Sequence, residues 1–123
     1  MKLLIVDDDV DTCTLLKLFF EKRGCTVYSA NSLVDGLRII DIIELTAVFI
    51  DNFLPDGEGW EAAKKIKIKH PNLNINLMSA KDKSFSSLDQ YTDVIWEKPI
   101  TLGQLETYMN FLNKSSRQVD LGK

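Results

Sequence analysis

The sequence predicts an α/β fold in which a doubly wound, five-stranded parallel sheet carries helices on both faces. Short apolar runs of strand length alternate with longer amphipathic stretches, five times over. Residues that form turns or cap helices separate the two kinds of segment. The chain has 123 residues, which is enough for one domain with its own core and too few for two.

The first half of the chain provides three predicted strands and two predicted helices. A helix from Asp9 to Arg23 is expected to stop at Gly24, because glycine readily adopts the left-handed conformation that ends many helices. Asn31 or Ser32 would cap the second helix. The strands are expected at Lys2–Val6, Thr26–Ser29 and Ala47–Ile50. The apolar face of the first helix consists of Leu15, Leu16, Leu18, Phe19 and Phe20. That of the second consists of Leu33, Leu37, Ile40 and Ile43.

The second half begins with a loop, since proline and glycine interrupt regular structure. This loop contains Pro55, Gly57 and Gly59, and the helix that follows is expected from Trp60 to Lys69, with Ala62, Ala63 and Ile66 facing inward. Two further strands are expected at Asn74–Met78 and Val94–Trp96. A capping box from Thr101 to Gln104 opens the last helix, which is expected to run to about Asn113. The segment after Ser79 is rich in serine and aspartate, so the helix expected there is short or irregular. Residues 114–123 are predicted to be a disordered polar tail.

Charged or polar side chains follow several of the predicted strands. Asp7 and Asp8 come after the first strand, and Asp51 ends the third. Ser79 and Lys98 follow the fourth and fifth. Ligands of doubly wound sheets bind outside the carboxyl ends of the strands, so these groups are expected to converge there. Neighbouring carboxylates suit a hard divalent cation such as Mg²⁺, and with one lysine they indicate a site that handles phosphoryl groups.

Composition narrows the class of protein. The net charge of −3 and the pI near 5.1 argue against direct binding to nucleic acid, which favours a basic patch. Apolar runs are too short to span a bilayer, and the first residues do not resemble a signal peptide. Cys13 and Cys25 are interpreted as a reduced pair. We therefore expect a cytoplasmic protein that does not insert into membranes.

The chain resembles the receiver domain of bacterial two-component response regulators over residues 2–112. The matching pieces are Leu4-Ile5-Val6-Asp7-Asp8-Asp9, Asp51 with Leu54-Pro55 and Gly59, Ser79-Ala80, and Lys98-Pro99. Each piece is weak alone, but their order and spacing are specific. The resemblance implies the flavodoxin-like strand order 2-1-3-4-5 and a receiver domain at residues 1–113. It also implies a cis peptide bond before Pro99.

The resemblance assigns a role to each residue of the pocket. Asp51 would be the phosphoacceptor, receiving its phosphoryl group from a sensor histidine kinase or a histidine phosphotransfer protein. Asp8, Asp51 and the backbone carbonyl of Phe53 would bind Mg²⁺, and Asp7 would act through water. Lys98 would pair with Asp51 and then with the phosphoryl oxygens, to which Ser79 would donate its hydroxyl. Such a protein switches its binding to a downstream protein and is not an enzyme that turns over a separate substrate.

The sequence departs from the family pattern at several positions. Ile95 stands where the family often has a switching aromatic residue, and Trp96 beside it should face the other way. The stretch from Ser79 to Lys98 is about three residues shorter than usual, which predicts an altered output surface or a monomer. Phe53 and Lys81 occupy variable positions beside the site, and Lys81 is expected either to approach the phosphoryl oxygens or to be solvated. Asp9 is interpreted as a cap of the first helix.

Two other functions compete with this interpretation. A phosphorylation-independent interaction module on the same fold would be expected to lack one or more pocket residues. This chain has all five of the side chains at the strand ends, Asp7, Asp8, Asp51, Ser79 and Lys98. A phosphatase with an aspartate nucleophile needs a second acid two positions on, where this chain has Phe53. We expect either a stand-alone receiver or a receiver excised from a longer regulator, and the sequence does not separate the two.

Overall fold

Helices and short strands alternate along the chain, and the computed structural model describes residues 1–80 and 91–121, with side chains as far as residue 115. The elements are β1 (Lys2–Val6), α1 (Val10–Glu21), β2 (Thr26–Ala30), α2 (Leu33–Ile42), β3 (Ala47–Asp51), β4 (Phe53–Leu54), β5 (Gly57–Glu58), α3 (Gly59–Lys69), β6 (Asn74–Ser79), β7 (Val94–Glu97) and α4 (Leu102–Leu121). The irregular helix predicted after Ser79 and the two alternatives for Lys81 fall on residues 81–90, outside the described part.

Five strands form one parallel sheet in the order β2-β1-β3-β6-β7. Numbered within the sheet alone, this is the order 2-1-3-4-5, so the predicted flavodoxin-like topology is confirmed. Because β1 and β3 are neighbours, with Val6 opposite Ile50, the residues that follow them meet at one edge. The strands β4 and β5 form a separate antiparallel hairpin that the sequence analysis did not predict.

Two hydrophobic cores lie on opposite faces of the sheet, which confirms helices on both sides. Leu3 and Ile5 face a core shared with α1 and α4, while Leu4 and Val6 face a core shared with α2 and α3. This alternation follows from the period of two along a strand. All five residues of β3 are buried, as expected for a central strand of a parallel sheet.

The capping residues predicted from the sequence agree with most of the helix ends in the structure. Ser32, rather than Asn31, caps α2 by accepting a hydrogen bond from the Asp35 amide at 3.2 Å. Gly24 adopts a φ of 86° just after α1, as its predicted role requires. The Thr101–Gln104 capping box is present, with reciprocal bonds of 2.9 and 3.2 Å.

Two details of the predicted helices are wrong. Leu15 and Leu18 are 44% and 52% exposed, because the inward face of α1 is narrower than the run of apolar residues. The helix α4 continues to Leu121 instead of ending near Asn113, since the polar residues after Asn113 include no glycine or proline before Gly122.

The division into a domain of residues 1–113 and a tail stays a prediction. Within the described residues, no helix is both long and apolar enough to cross a membrane.

Candidate functional site

Three carboxylates meet at the carboxyl edge of the sheet. One oxygen from each of Asp7, Asp8 and Asp51 lies within 4.8 Å of the other two. Asp7 is fully buried, Asp51 is 8% exposed and Asp8 is exposed. The parallel pairing of β1 with β3 produces this arrangement, because both strands end at the same level. The cluster offers several anionic oxygen ligands within reach of one ion, as Mg²⁺ requires.

Lys98 reaches the cluster from β7, across the intervening strand β6. Its Nζ lies 2.9 Å from Oδ2 of Asp7 and 2.8 Å from Oδ1 of Asp51. The Lys98 amide donates a 2.7 Å hydrogen bond to the carbonyl of Ser79, and the Lys98–Pro99 peptide bond is cis, as the resemblance implied. One ammonium group therefore bridges the two carboxylates that are most deeply buried.

The charges in the cluster alter one another's protonation. Burial raises the pKa of the Asp51 carboxyl above its usual value, and Asp7 adds to the rise while Lys98 opposes it. Burial alone would lower the pKa of Lys98, but hydrogen bonds and charges from Asp51 and Asp7 outweigh it, so this pKa is raised. The lysine remains a cation, and the three carboxylates still outnumber it. A divalent cation would offset that excess of negative charge.

Ser79 and Phe53 lie at the same edge as the cluster. Ser79 ends β6, the strand next to β3, and is 4% exposed. Phe53 begins β4, two residues after Asp51, and its side chain is largely exposed. The structure thus brings Asp7, Asp8, Asp51 and Lys98 together. Ser79 and Phe53 lie at the same edge of the sheet, and the roles of the Ser79 hydroxyl and the Phe53 carbonyl stay predictions.

Asn52 is a buried residue of the site that sequence reasoning missed. Its side-chain Oδ1 accepts a 3.2 Å hydrogen bond from the amide of Trp60, in the first turn of α3. Its backbone accepts from Gly59 at 2.9 Å and donates to Met78 at 2.8 Å. Asn52 therefore joins the end of β3 to the start of α3, and nothing in the spacing of the sequence indicated this contact.

The neighbours of the site clarify three sequence expectations. Ile95 is 38% exposed and Trp96 is buried on the opposite face, as predicted from strand alternation. Asp9 caps α1, with its carboxylate accepting hydrogen bonds from the Asp11 amide at 3.0 Å and the Thr12 hydroxyl at 2.9 Å. The Asp9 carboxylate therefore caps the first turn of α1, as predicted.

Comparison with known proteins points to one family. The family profile described as the response regulator receiver domain matches residues 3–110. The regulatory protein VanR of Enterococcus faecium is 29% identical over 91 residues, which cover 74% of this chain and 39% of VanR. The chain therefore spans less than half the length of this relative.

Solved structures give the same result for the fold. A two-component response regulator from Clostridium difficile has a TM-score of 0.85 at 27% identity, and the match covers 93% of this chain and 96% of that one. A response regulator receiver domain protein from Methanospirillum hungatei has a TM-score of 0.86 at 25% identity, covering 95% and 97% of the two chains.

Proposed function

This chain belongs to the response regulator receiver domain family of two-component systems, and we propose that it accepts a phosphoryl group on Asp51 from a phosphohistidine. The donor would be a sensor histidine kinase or a histidine phosphotransfer protein. The observation that carries this proposal is the ammonium group of Lys98, held within 2.9 Å of both Asp7 and Asp51 inside a cluster of three carboxylates. A simple structural ion pair needs only one carboxylate.

The proposed transfer is a displacement at phosphorus. A carboxylate oxygen of Asp51 forms a bond to phosphorus as the bond from phosphorus to the imidazole nitrogen breaks, and the imidazole leaves with that electron pair. The carboxylate is a weak nucleophile, so the rate depends on position and on neutralised charge. Lys98 holds Asp51 in place before transfer and is close enough to pair with phosphoryl oxygens afterwards.

The donor set of the pocket fits a magnesium ion. Asp8 and Asp51 would bind it directly together with the backbone carbonyl of Phe53, and Asp7 would act through a water molecule. The buried Asp7 already accepts hydrogen bonds from Lys98 and from the amide of Asp9, which suits this indirect role. The bound ion would neutralise negative charge that develops on the phosphoryl oxygens.

Ser79 would convert phosphorylation into a change of shape. Its hydroxyl would donate to a phosphoryl oxygen and draw the segment after β6 towards the site. Since this contact exists only when Asp51 is phosphorylated, it would favour one of two conformations and so switch binding to a downstream protein.

The free cysteines Cys13 and Cys25 are buried and unlinked, which supports placing this signalling in the reducing cytoplasm.

Mass spectrometry of the purified chain with acetyl phosphate tests the proposal. The wild type should gain one phosphoryl group, and it should do so only with Mg²⁺. Asp51→Ala should gain none, whereas Asp35→Ala, which removes an exposed aspartate of α2, should behave like the wild type. Phosphorylation of Asp51→Ala would contradict the assignment of the acceptor. A wild type that remains unmodified and binds neither beryllofluoride nor Mg²⁺ would favour a phosphorylation-independent interaction module.

A further inference from the structure

The β4–β5 hairpin carries one proposed metal ligand, the carbonyl of Phe53, on a very small framework. Each of its strands has two residues, with Phe53 opposite Glu58 and Leu54 opposite Gly57. A two-stranded hairpin of this size is not stable alone in water. Its conformation must therefore be held by contacts with the rest of the domain.

Asp56, at the tip of the hairpin, makes the most specific of these contacts. Its Oδ1 accepts a 2.8 Å hydrogen bond from the amide of Leu33, and its Oδ2 accepts a 3.0 Å bond from the amide of Val34. These amides belong to the first turn of α2, where backbone N–H groups have no partner within the helix. The two bonds hold the pKa of Asp56 below its ordinary value, so it stays ionised at neutral pH.

The first turn of α2 thus has two caps of different origin. Ser32, adjacent in sequence, satisfies the amide of Asp35. Asp56 satisfies the two preceding amides from more than twenty residues away along the chain. One cap serves the helix alone, whereas the other also fixes the hairpin.

Two further contacts bring the hairpin close to the body of the domain. Gly57 lies so near α2 that a Cβ there would be 2.9 Å from Cδ1 of Leu33. The side chain of Leu54 is buried in the core shared with α2 and α3. The tip and one side of the hairpin are therefore held, and Asp56 provides the hydrogen bonds that set its orientation.

We propose that Asp56 is a positioning residue for metal binding, which holds the Phe53 carbonyl towards the acidic cluster by clamping the hairpin onto the first turn of α2. The inference rests on the proposed function, since it takes the cluster to be a metal site. Without the clamp the hairpin would have more conformations, and binding the metal would have to order it. The carboxylates of Asp7, Asp8 and Asp51 lie on the sheet edge itself, so binding would be weakened but not abolished.

Titration of the full chain with Mn²⁺, followed by electron paramagnetic resonance of the free ion, tests this role. Asp56→Ala should raise the dissociation constant for Mn²⁺ about tenfold, the lower end of what removing a supporting partner usually costs. Asp56→Asn keeps one acceptor oxygen and should recover part of the affinity. Ser32→Ala is the matched control, because it removes a cap of the same helix without touching the hairpin.

Thermal unfolding of the metal-free variants separates positioning from general stability. Both variants should lower Tm, Asp56→Ala by more because it removes two hydrogen bonds, yet only Asp56→Ala should weaken Mn²⁺ binding. Equal Mn²⁺ affinities for Asp56→Ala and the wild type would overturn the inference and leave the metal site intact. A wild type that binds no Mn²⁺, or whose binding is unchanged by Asp8→Ala, would overturn the metal site itself and this inference with it.

Discussion

The indole Nε1 of Trp96 donates a 2.9 Å hydrogen bond to Oδ1 of Asn76, inside the core shared by the sheet, α1 and α4. Asn76 in turn donates through Nδ2 to the carbonyl of Val48 at 3.2 Å and to the hydroxyl of Tyr108 at 2.8 Å. Asn76 is fully buried, and burial raises the pKa of Tyr108 well above its ordinary value. One amide side chain thus joins β3, β6, β7 and α4.

Asn76→Ala should lower the free energy of unfolding by about 2–3 kcal/mol, because it leaves the buried indole N–H of Trp96 without its acceptor and opens a space in the core. Urea unfolding followed by tryptophan fluorescence measures this loss. Asn110→Ala, an exposed asparagine on α4, is the matched control and should change little. Equal midpoints for the two variants would show that the network contributes nothing to stability.

Gly59→Ala should destabilise the domain by about 1–3 kcal/mol, as overpacking in a core does. A Cβ at Gly59 would lie 2.6 Å from the backbone carbonyl of Asp51 and 3.0 Å from side-chain atoms of Ile50 and Leu77. Either β3 or α3 must shift, which displaces the proposed phosphoacceptor.

Gly103→Ala is the control for this substitution, because a Cβ there meets nothing within 4 Å. It should be neutral or stabilising, since alanine is the better helix former. Thermal unfolding compares the two variants, and a Gly59→Ala protein as stable as Gly103→Ala would contradict the predicted clash.

Asp51→Asn should stabilise the metal-free protein near neutral pH, because burial makes the charged carboxylate of the wild type costly. The folded state raises the pKa of Asp51 above 3.8, so this carboxyl contributes stability at low pH that is lost as pH rises through its folded pKa. The uncharged amide avoids this loss, and Lys98 keeps its contact with Asp7.

The gain from Asp51→Asn should therefore shrink as the pH falls through the raised folded pKa of Asp51, where the wild-type carboxyl takes up its proton. Urea unfolding at several pH values, in the presence of a chelator, measures the difference. A gain that grows towards low pH would have the wrong sign for the proposed environment of Asp51.

Phe53→Asn should shorten the lifetime of phosphorylated Asp51 severalfold. Phe53 stands two residues after Asp51 and is 57% exposed, and we expect its apolar ring to hinder the approach of water to the acyl phosphate, whereas an amide would bind that water. Loss of the phosphoryl group with time, followed by mass spectrometry, gives the rate. Phe111→Asn on α4 removes another exposed ring and should leave the lifetime unchanged.

Much of the fold was predictable because its signals are local and repeated. The apolar runs Leu3–Val6 and Ala47–Ile50 are buried on both faces, and strands of this kind need no long-range information to be recognised. Convergence of Asp7, Asp51 and Lys98 followed from the general position of strand ends in parallel sheets. The sequence analysis therefore anticipated the arrangement of the charged residues.

Features that depend on a specific tertiary partner were not predictable. Asn76 lies in a strand where polar and apolar residues alternate, a pattern that usually indicates one solvated face. In the structure its side chain is in the core, where it forms hydrogen bonds with Trp96 and Tyr108. The bonds of Asp56 to α2 and of Asn52 to α3 join segments whose proximity exists only after folding. Leu15 was assigned to the core because hydrophobicity alone does not show where a helix face ends.

The position of Lys98 late in the chain has a consequence for how the protein is made. Ribosomes release the amino-terminal part of a chain first, and β1, β2 and β3 all lie within the first 51 residues. Lys98, which bridges Asp7 and Asp51 in the folded domain, is synthesised after all three of these strands. The charge balance of the acidic edge is therefore completed only when β7 has been made and has paired with β6, so we expect the site to be among the last parts of the domain to become ordered.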